Sequence, residues 1–434
     1  MEEGFQVTGV SRLSALFGCL RLEQLATASV YLVLVYLINV MFFFPIGDHY
    51  LKEVLLLAII SCLAYRKAEA CWSAGAVRAL LLPMSLYTLV LVASYLINDG
   101  FMSTIRSFFY CSLFVYAASV VRLQPRYIGF LCLLAAVEMP VLIYYQCFWN
   151  ECSRFGGFTN PIFFAMFSVC VAVFSVYLAG TFTRRRIRAL LYLAALVFCC
   201  AAAFTKTRGA MIALVPLALI FAVYLYRHKL LTVRRVLLAM VAATFLTGFV
   251  GLQTDAYERF AVVDEQLAPA LVADDTNGNS YRSSIGFRIL IWKFSLAVAM
   301  EHPLFGVGNE RFQHYKQEWV DEGRFPAELV QFVPGAHSHN QYFQDLAMRG
   351  VIGLVALLAM FVMPALRYYR MSKAHNAVRK CAGYLGLSLV TAFATFSLTE
   401  VALKHPEKVA IFAILGFVAL TLGRNVPEPT GETA

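Results

Sequence analysis

"HSHNQYFQDLAMRGVIGL", residues 337–354, decides how the chain is read. Two histidines stand two residues apart among polar neighbours. Within a few residues the chain turns into an apolar helix long enough to enter a bilayer, which takes about 20 mostly apolar residues. The stretch is therefore the mouth of a membrane span, read as 345–366. Working outward, the same length rule gives spans at 25–45, 51–65, 78–97, 103–121, 127–148, 161–180, 187–205, 210–226, 235–252, 381–399 and 407–423.

Composition agrees. Hydrophobic residues make up 60% of the 434 and charged residues 14%, with a mean hydropathy of +0.68. A soluble chain carries about a quarter charged residues. The net charge of +10 does not imply nucleic acid, because the basic residues lie in short loops between apolar runs. With the N-terminus cytoplasmic, the inner loops and both termini hold 21 of the 36 Lys and Arg. The sign alternates at every loop, as the positive-inside rule requires. The expected fold is an all-α polytopic membrane protein of about twelve spans with both termini cytoplasmic. It divides into 1–252 (nine spans), 253–344 (one large outer loop) and 345–434 (three spans). The loop is too long for an ordinary connection. Its "FRILIWKFSLAVAMEHP" predicts a helix on the membrane surface or packed over the bundle. "EHPLFGVGNERF" predicts a turn after it. Most of the eleven cysteines sit in apolar segments with no metal-ligand spacing; only Cys147 and Cys152 are placed to form a disulfide.

Four outer-side features carry chemistry. "SRFGGFTNP" brings Arg154 and Asn160, "TKTRGA" brings Lys206 and Arg208, "IGFRILIW" brings Arg288, and the opening stretch brings His337, His339 and Asn340. Outer turns are depleted of basic residues, yet "TKTRGA" keeps two, so each needs a partner. Snorkelling or an internal ion pair is one reading. An anion site is the other, since guanidinium binds phosphate through a bidentate fork. His339 is either a helix-start residue or a proton acceptor poised near pH 7. The histidine pair has no obvious third metal ligand, and Asp274 and Asp275 read as a solvated loop. Glu138, inside a span, is a functional candidate or pairs with a neighbouring helix. Glu400 and His405 read as structural.

Taken together and in order, "RFGGFTNP", "TKTRGA", "FRILIW…HPLFGVGNERF" and "HSHNQYFQDLAMRGVIGL" resemble the motifs of the O-antigen ligase and polymerase superfamily, over roughly residues 150–365. The resemblance implies a GT-C-like glycosyltransferase of the Gram-negative inner membrane with its active site on the periplasmic face. Its donor would be a glycan on undecaprenyl pyrophosphate and its acceptor the lipid A–core oligosaccharide, with no metal and no cofactor. His339, Arg288 and Arg208 would be catalytic. Arg154, Lys206, His337, Asn340 and Asn160 would bind substrate. Polymerases and protein O-oligosaccharyltransferases share these motifs and differ in acceptor. A twelve-span transporter would instead show internal repeats and a midplane site, and no repeat relates the two halves.

Overall fold

A computed structural model describes residues 7–45, 49–68, 77–98, 102–150, 154–227, 281–331 and 337–422, with side chains from residue 21 onward. The expected span at 235–252, the loop residues before 281, Asp274, Asp275 and Cys152 lie outside the described residues.

Every regular element described is helical. They are α1 (Val7–Val35, continued by a π-helical turn to Val40), α2 (Leu51–Ala68), α3 (Arg78–Asn98), α4 (Met102–Ala118) and α5 (Pro125–Ile143, with a π-helical turn to Trp149). Then come α6 (Pro161–Ala179), α7 (Arg185–Phe204), α8 (Arg208–Ile212) and α9 (Leu214–Arg227). After the undescribed segment follow α10 (Ser284–Glu301), α11 (Gly308–Asp321), α12 (Glu328–Gln331), α13 (Gln341–Ser372), α14 (Ala377–Phe396) and α15 (Pro406–Leu422). Among the described residues seven helices are long and apolar enough to cross a membrane: Arg21–Val40, Arg78–Asn98, Pro125–Trp149, Pro161–Ala179, Arg185–Phe204, Arg208–Arg227 and Gln341–Ser372. The expected spans at 51–65, 103–121, 381–399 and 407–423 are helices too, as α2, α4, α14 and α15.

The centre of the bundle is set by helices apolar on all sides, a pattern that only a surrounded helix can satisfy. α6 and α15 are buried along nearly their whole length. α6 packs on α7, and α14 packs on α6, α13 and α15. Glu138, in α5, has its Oε2 buried with no hydrogen-bond partner among the described residues.

The expected helix in "FRILIWKFSLAVAMEHP" is α10, and it packs over the bundle against α13. With α11 and α12 it builds a second core. Phe294 meets Phe312, Trp319 and Phe325 edge-on at 5.1–5.5 Å. Trp292 stacks on Phe343 of α13 and donates its Nε1–H to Ser338 O at 2.8 Å.

The turn after α10 locks this outer unit to α13. Gly350 breaks α13 with φ 65° and ψ −163°, a region open only to glycine. The break releases the Val351 N–H, which Pro303 O accepts at 2.8 Å; Ala347 O in turn accepts Val307 N–H at 3.1 Å. Gly306, at φ 64°, faces the Met348–Arg349 peptide, and Gly350 faces the Leu304 carbonyl; a Cβ on either would lie under 2.5 Å from backbone. Two motifs far apart in sequence thus fit together because both lack side chains at the crossing.

Gly350→Ala is expected to cost roughly 3 kcal/mol, from backbone strain and collision with residue 304. Gly323→Ala is the control: its φ is also positive but nothing lies within 4 Å, so about 1–2 kcal/mol is expected. Thermal unfolding of both variants in detergent checks this; equal losses would mean the crossing is not tight.

Candidate active site

Four sequence-predicted cations come together at one cavity of about 500 Å³. It is lined by Arg154, by Lys206 and Arg208 of the α7–α8 turn, and by Arg288 of α10, with Trp292, Thr399 and Glu400 completing the wall. Each is placed by local structure. Arg154 is tied to that turn, its Nε donating to Thr205 O and its Nη2 to Thr207 Oγ1, both at 3.3 Å. Lys206 sits at φ 55°, which turns the chain sharply between α7 and α8. Gly209 follows at the start of α8, and a Cβ there would lie 2.9 Å from Thr399 Cβ and closer still to its hydroxyl. That contact sets "TKTRGA" against the end of α14. Arg288 reaches the same place from α10 and donates from Nη1 to Thr399 O at 2.8 Å. Burial lowers the Arg288 pKa; Glu400 opposes this and Arg208 adds to it by repulsion. Half-buried cations that repel one another make a site an anion would relieve.

The second group stands beside Glu400. His337 Nε2 lies 2.9 Å from Glu400 Oε1, and His339 Nδ1 lies 3.6 Å from Oε2, within ion-pair reach but too long for a hydrogen bond. Lys408 Nζ is 3.7 Å from Oε1. Burial alone would raise the Glu400 pKa, yet His337, His339 and Lys408 hold its carboxyl well below the usual carboxylate range. Burial lowers the His337 imidazole against the pull of Glu400. His405, packed on Phe163, is pushed down by burial to about 4 and is neutral at pH 7.

Residues 193–358 match the family whose model is described as O-antigen ligase. An uncharacterized protein of Haemophilus influenzae is 22% identical to this chain over 242 residues, 55% of the chain. The match spans 58% of that relative's own length.

Within the matched segment lie Lys206, Arg208, Arg288, His337, His339 and Asn340; Arg154, Asn160 and Glu400 fall outside it. Neither histidine lines the cavity itself; Glu400 does, and connects them to it. Two predicted binding residues are placed as helix caps. Asn340 Oδ1 accepts Tyr342 N–H and Phe343 N–H at the start of α13, while its Nδ2 donates to Leu398 O. Asn160 Oδ1 accepts Ile162 N–H at the start of α6. Both follow the preference of asparagine for N-caps. The residue between the histidines, Ser338, is fixed on every side. Its N–H goes to Gln344, its carbonyl takes Trp292, and its hydroxyl meets Ser295. That fixing holds His339 at φ 47°, a conformation few non-glycine residues adopt.

Glu400, read from sequence as structural, sits at the centre of the site. It also supplies the third ligand the histidine pair lacked. One atom each of His337, His339 and Glu400 lie within 4.8 Å of one another. The Lys408 ammonium already stands by the same carboxylate, so the cluster is balanced by cations of the chain itself.

If the cavity binds anions, inorganic pyrophosphate should raise the unfolding midpoint of the protein in detergent. Arg288→Ala should abolish that shift. A shift unchanged in Arg288→Ala, at matched ionic strength, would remove the cavity as the anion site.

Proposed function

We propose that this protein is an O-antigen ligase. It moves a glycan from undecaprenyl pyrophosphate to the lipid A–core oligosaccharide at the periplasmic face of the inner membrane. The observation that carries the reading is the single cavity lined by Arg154, Lys206, Arg208 and Arg288. A lipid-linked pyrophosphate donor needs such a place, since its leaving group gathers negative charge as the sugar–oxygen bond breaks.

In this reading the acceptor hydroxyl attacks the anomeric carbon from the face opposite the pyrophosphate. A new glycosidic C–O bond forms, the bond from the anomeric carbon to the phosphate oxygen breaks, and lipid pyrophosphate departs with the electron pair. The hydroxyl proton passes to His339 as the bond forms. His339 keeps about a quarter of its side chain exposed (23%), which leaves an acceptor access to the ring. The arginines and Lys206 hold the pyrophosphate; each charge-assisted hydrogen bond contributes about 1.5–3 kcal/mol. Donors fixed in place before the reaction and aimed at charge that develops in the transition state contribute about 3–4 kcal/mol, several hundredfold in rate.

Lateral access for lipid substrates is supported by two apolar grooves. One, of about 550 Å³, lies between α3 and α13 with Arg349 at its edge. The other, of about 350 Å³, lies between α13 and α14 and starts at Tyr342 and Leu398, beside the cap residue Asn340.

Purified protein should transfer glycan from the lipid pyrophosphate to lipid A–core with excess chelator present. Loss of transfer in chelator would assign a metal to the His337, His339 and Glu400 cluster. Arg208→Ala should lower transfer about 100-fold or more, and His339→Ala should abolish it while donor binding survives. Wild-type rates in either would sink the corresponding role. In cells, deletion of the gene should leave core without a ladder while polymerised glycan accumulates on its lipid carrier. Core bearing a single repeat would mean a polymerase instead.

A further inference from the structure

We infer that Glu400 is a positioning residue that sets the two histidines in opposite tautomers and so leaves the Nε2 of His339 as the proton acceptor. The inference rests on the reading of His339 as the base. The geometry carries it. Glu400 is almost wholly buried, with 6% of its side chain exposed, and its two oxygens face different rings. Oε1 meets His337 at Nε2, and Oε2 faces His339 at Nδ1. An imidazole that gives its proton to a carboxylate from one nitrogen leaves the other nitrogen basic. His337 is therefore protonated at Nε2. His339 is protonated at Nδ1, and its Nε2 carries the free lone pair.

His339 Nδ1 is buried and has no hydrogen-bond partner among the described residues. Such an atom is costly to leave unmatched. It lies 3.6 Å from Oε2, so a movement of well under 1 Å completes the bond. Catalytic hydrogen bonds are often long before substrate arrives and shorten in the complex. The rings of the two histidines are 4.3 Å apart, so the His337–Glu400 bond also limits where the His339 ring can lie.

The carboxylate is itself held. Val401 N–H donates to Oε1 at 3.0 Å. Lys408 from α15 is fully buried, donates to Val401 O at 2.6 Å and lies over the Phe163 ring. The charged or titratable groups acting on Glu400 come from every neighbouring element. They are His337 and His339 before α13, Arg288 on α10, Lys404 and His405 in the segment before α15, and Lys408 on α15. An ion pair with Lys408 alone would need only one oxygen; here the second oxygen is turned to His339.

Glu400→Gln tests the inference. Removing the carboxylate takes away the acceptor that holds the His339 ring by its Nδ1. kcat should fall about 100-fold, with KM for the lipid-linked donor little changed. Glu400→Asp should recover part of kcat. If kcat stays at the wild-type value while His339→Ala is inactive, Glu400 does not position the base. If the wild-type protein transfers no glycan, the parent reading fails instead. Should Lys408 left unpaired prevent folding, the double variant Glu400→Gln, Lys408→Met removes both buried charges and is read by the same split of kcat against KM. The wild-type protein gives an answer without any substitution. Nitrogen-15 spectra of labelled histidine at neutral pH should show His339 protonated at Nδ1 and His337 at Nε2. The same tautomer in both rings would overturn the inference.

Discussion

A helix end leaves carbonyls without partners, and in a protein interior each must find one. The segment that follows α14 meets this demand in an unusual way. Ser397 O takes the Gln341 N–H, Leu398 O takes Asn340, Thr399 O takes Arg288, and Val401 O takes Lys408. Four carbonyls are thus held from α13, from α10 and from α15. Glu400, between the last two of these carbonyls in sequence, is held by His337, by Val401 N–H and by Lys408. The Gln341 side chain adds a fifth tie, accepting Leu403 N–H while donating to Asp345. The site is built around the end of one helix, and both of its halves, cations and histidines, are attached there.

Attachment explains how four like charges share one cavity. Bringing them together costs solvation and repulsion. Arg154 leans on the α7–α8 turn, and Arg288 leans on Thr399. Carbonyl and hydroxyl oxygens stand in for part of the water that Arg154 and Arg288 lose. Glu400, a carboxylate on the cavity wall, is turned toward histidines and Lys408. An acid near a cationic cavity would defeat the cavity if it pointed inward as a free charge; its pairing with His337 and Lys408 prevents that.

Much of this was legible in the sequence because it violated a rule. Lys206 and Arg208 drew attention as basic residues in an outer turn, and His337 and His339 as polar residues at the mouth of a span. Apolar run length marked the helices, and α2, α4, α14 and α15 came from the same signal in weaker form. Glu400 broke no rule. It precedes the last span by a few residues, carries no motif spacing, and lies more than sixty residues from the histidines it faces. The one available signal was "TEVALKHPEK", which places Glu400, Lys404 and Lys408 at helical spacing ahead of an apolar helix. The crossing of Gly306 and Gly350 was equally hidden: each motif read by itself as a turn or a helix start, and only contact between them explains why both need glycine. Asn160 and Asn340 are placed as caps, and a cap and a ligand look alike in sequence.

The break at Gly350 also works as a depth gauge. Below it, residues 351–372 run about 33 Å at 1.5 Å per residue, close to the thickness of a hydrocarbon core, with Arg367 and Arg370 near the far end. Above it, residues 341–350 carry Asp345 and Arg349 and raise Asn340 by about 15 Å. The lower part is long enough to match a hydrocarbon core by itself, so the upper part, with its buried ion pair, is surplus to a crossing. One helix thus has an apolar shaft and a polar collar, and the glycine marks the boundary between them.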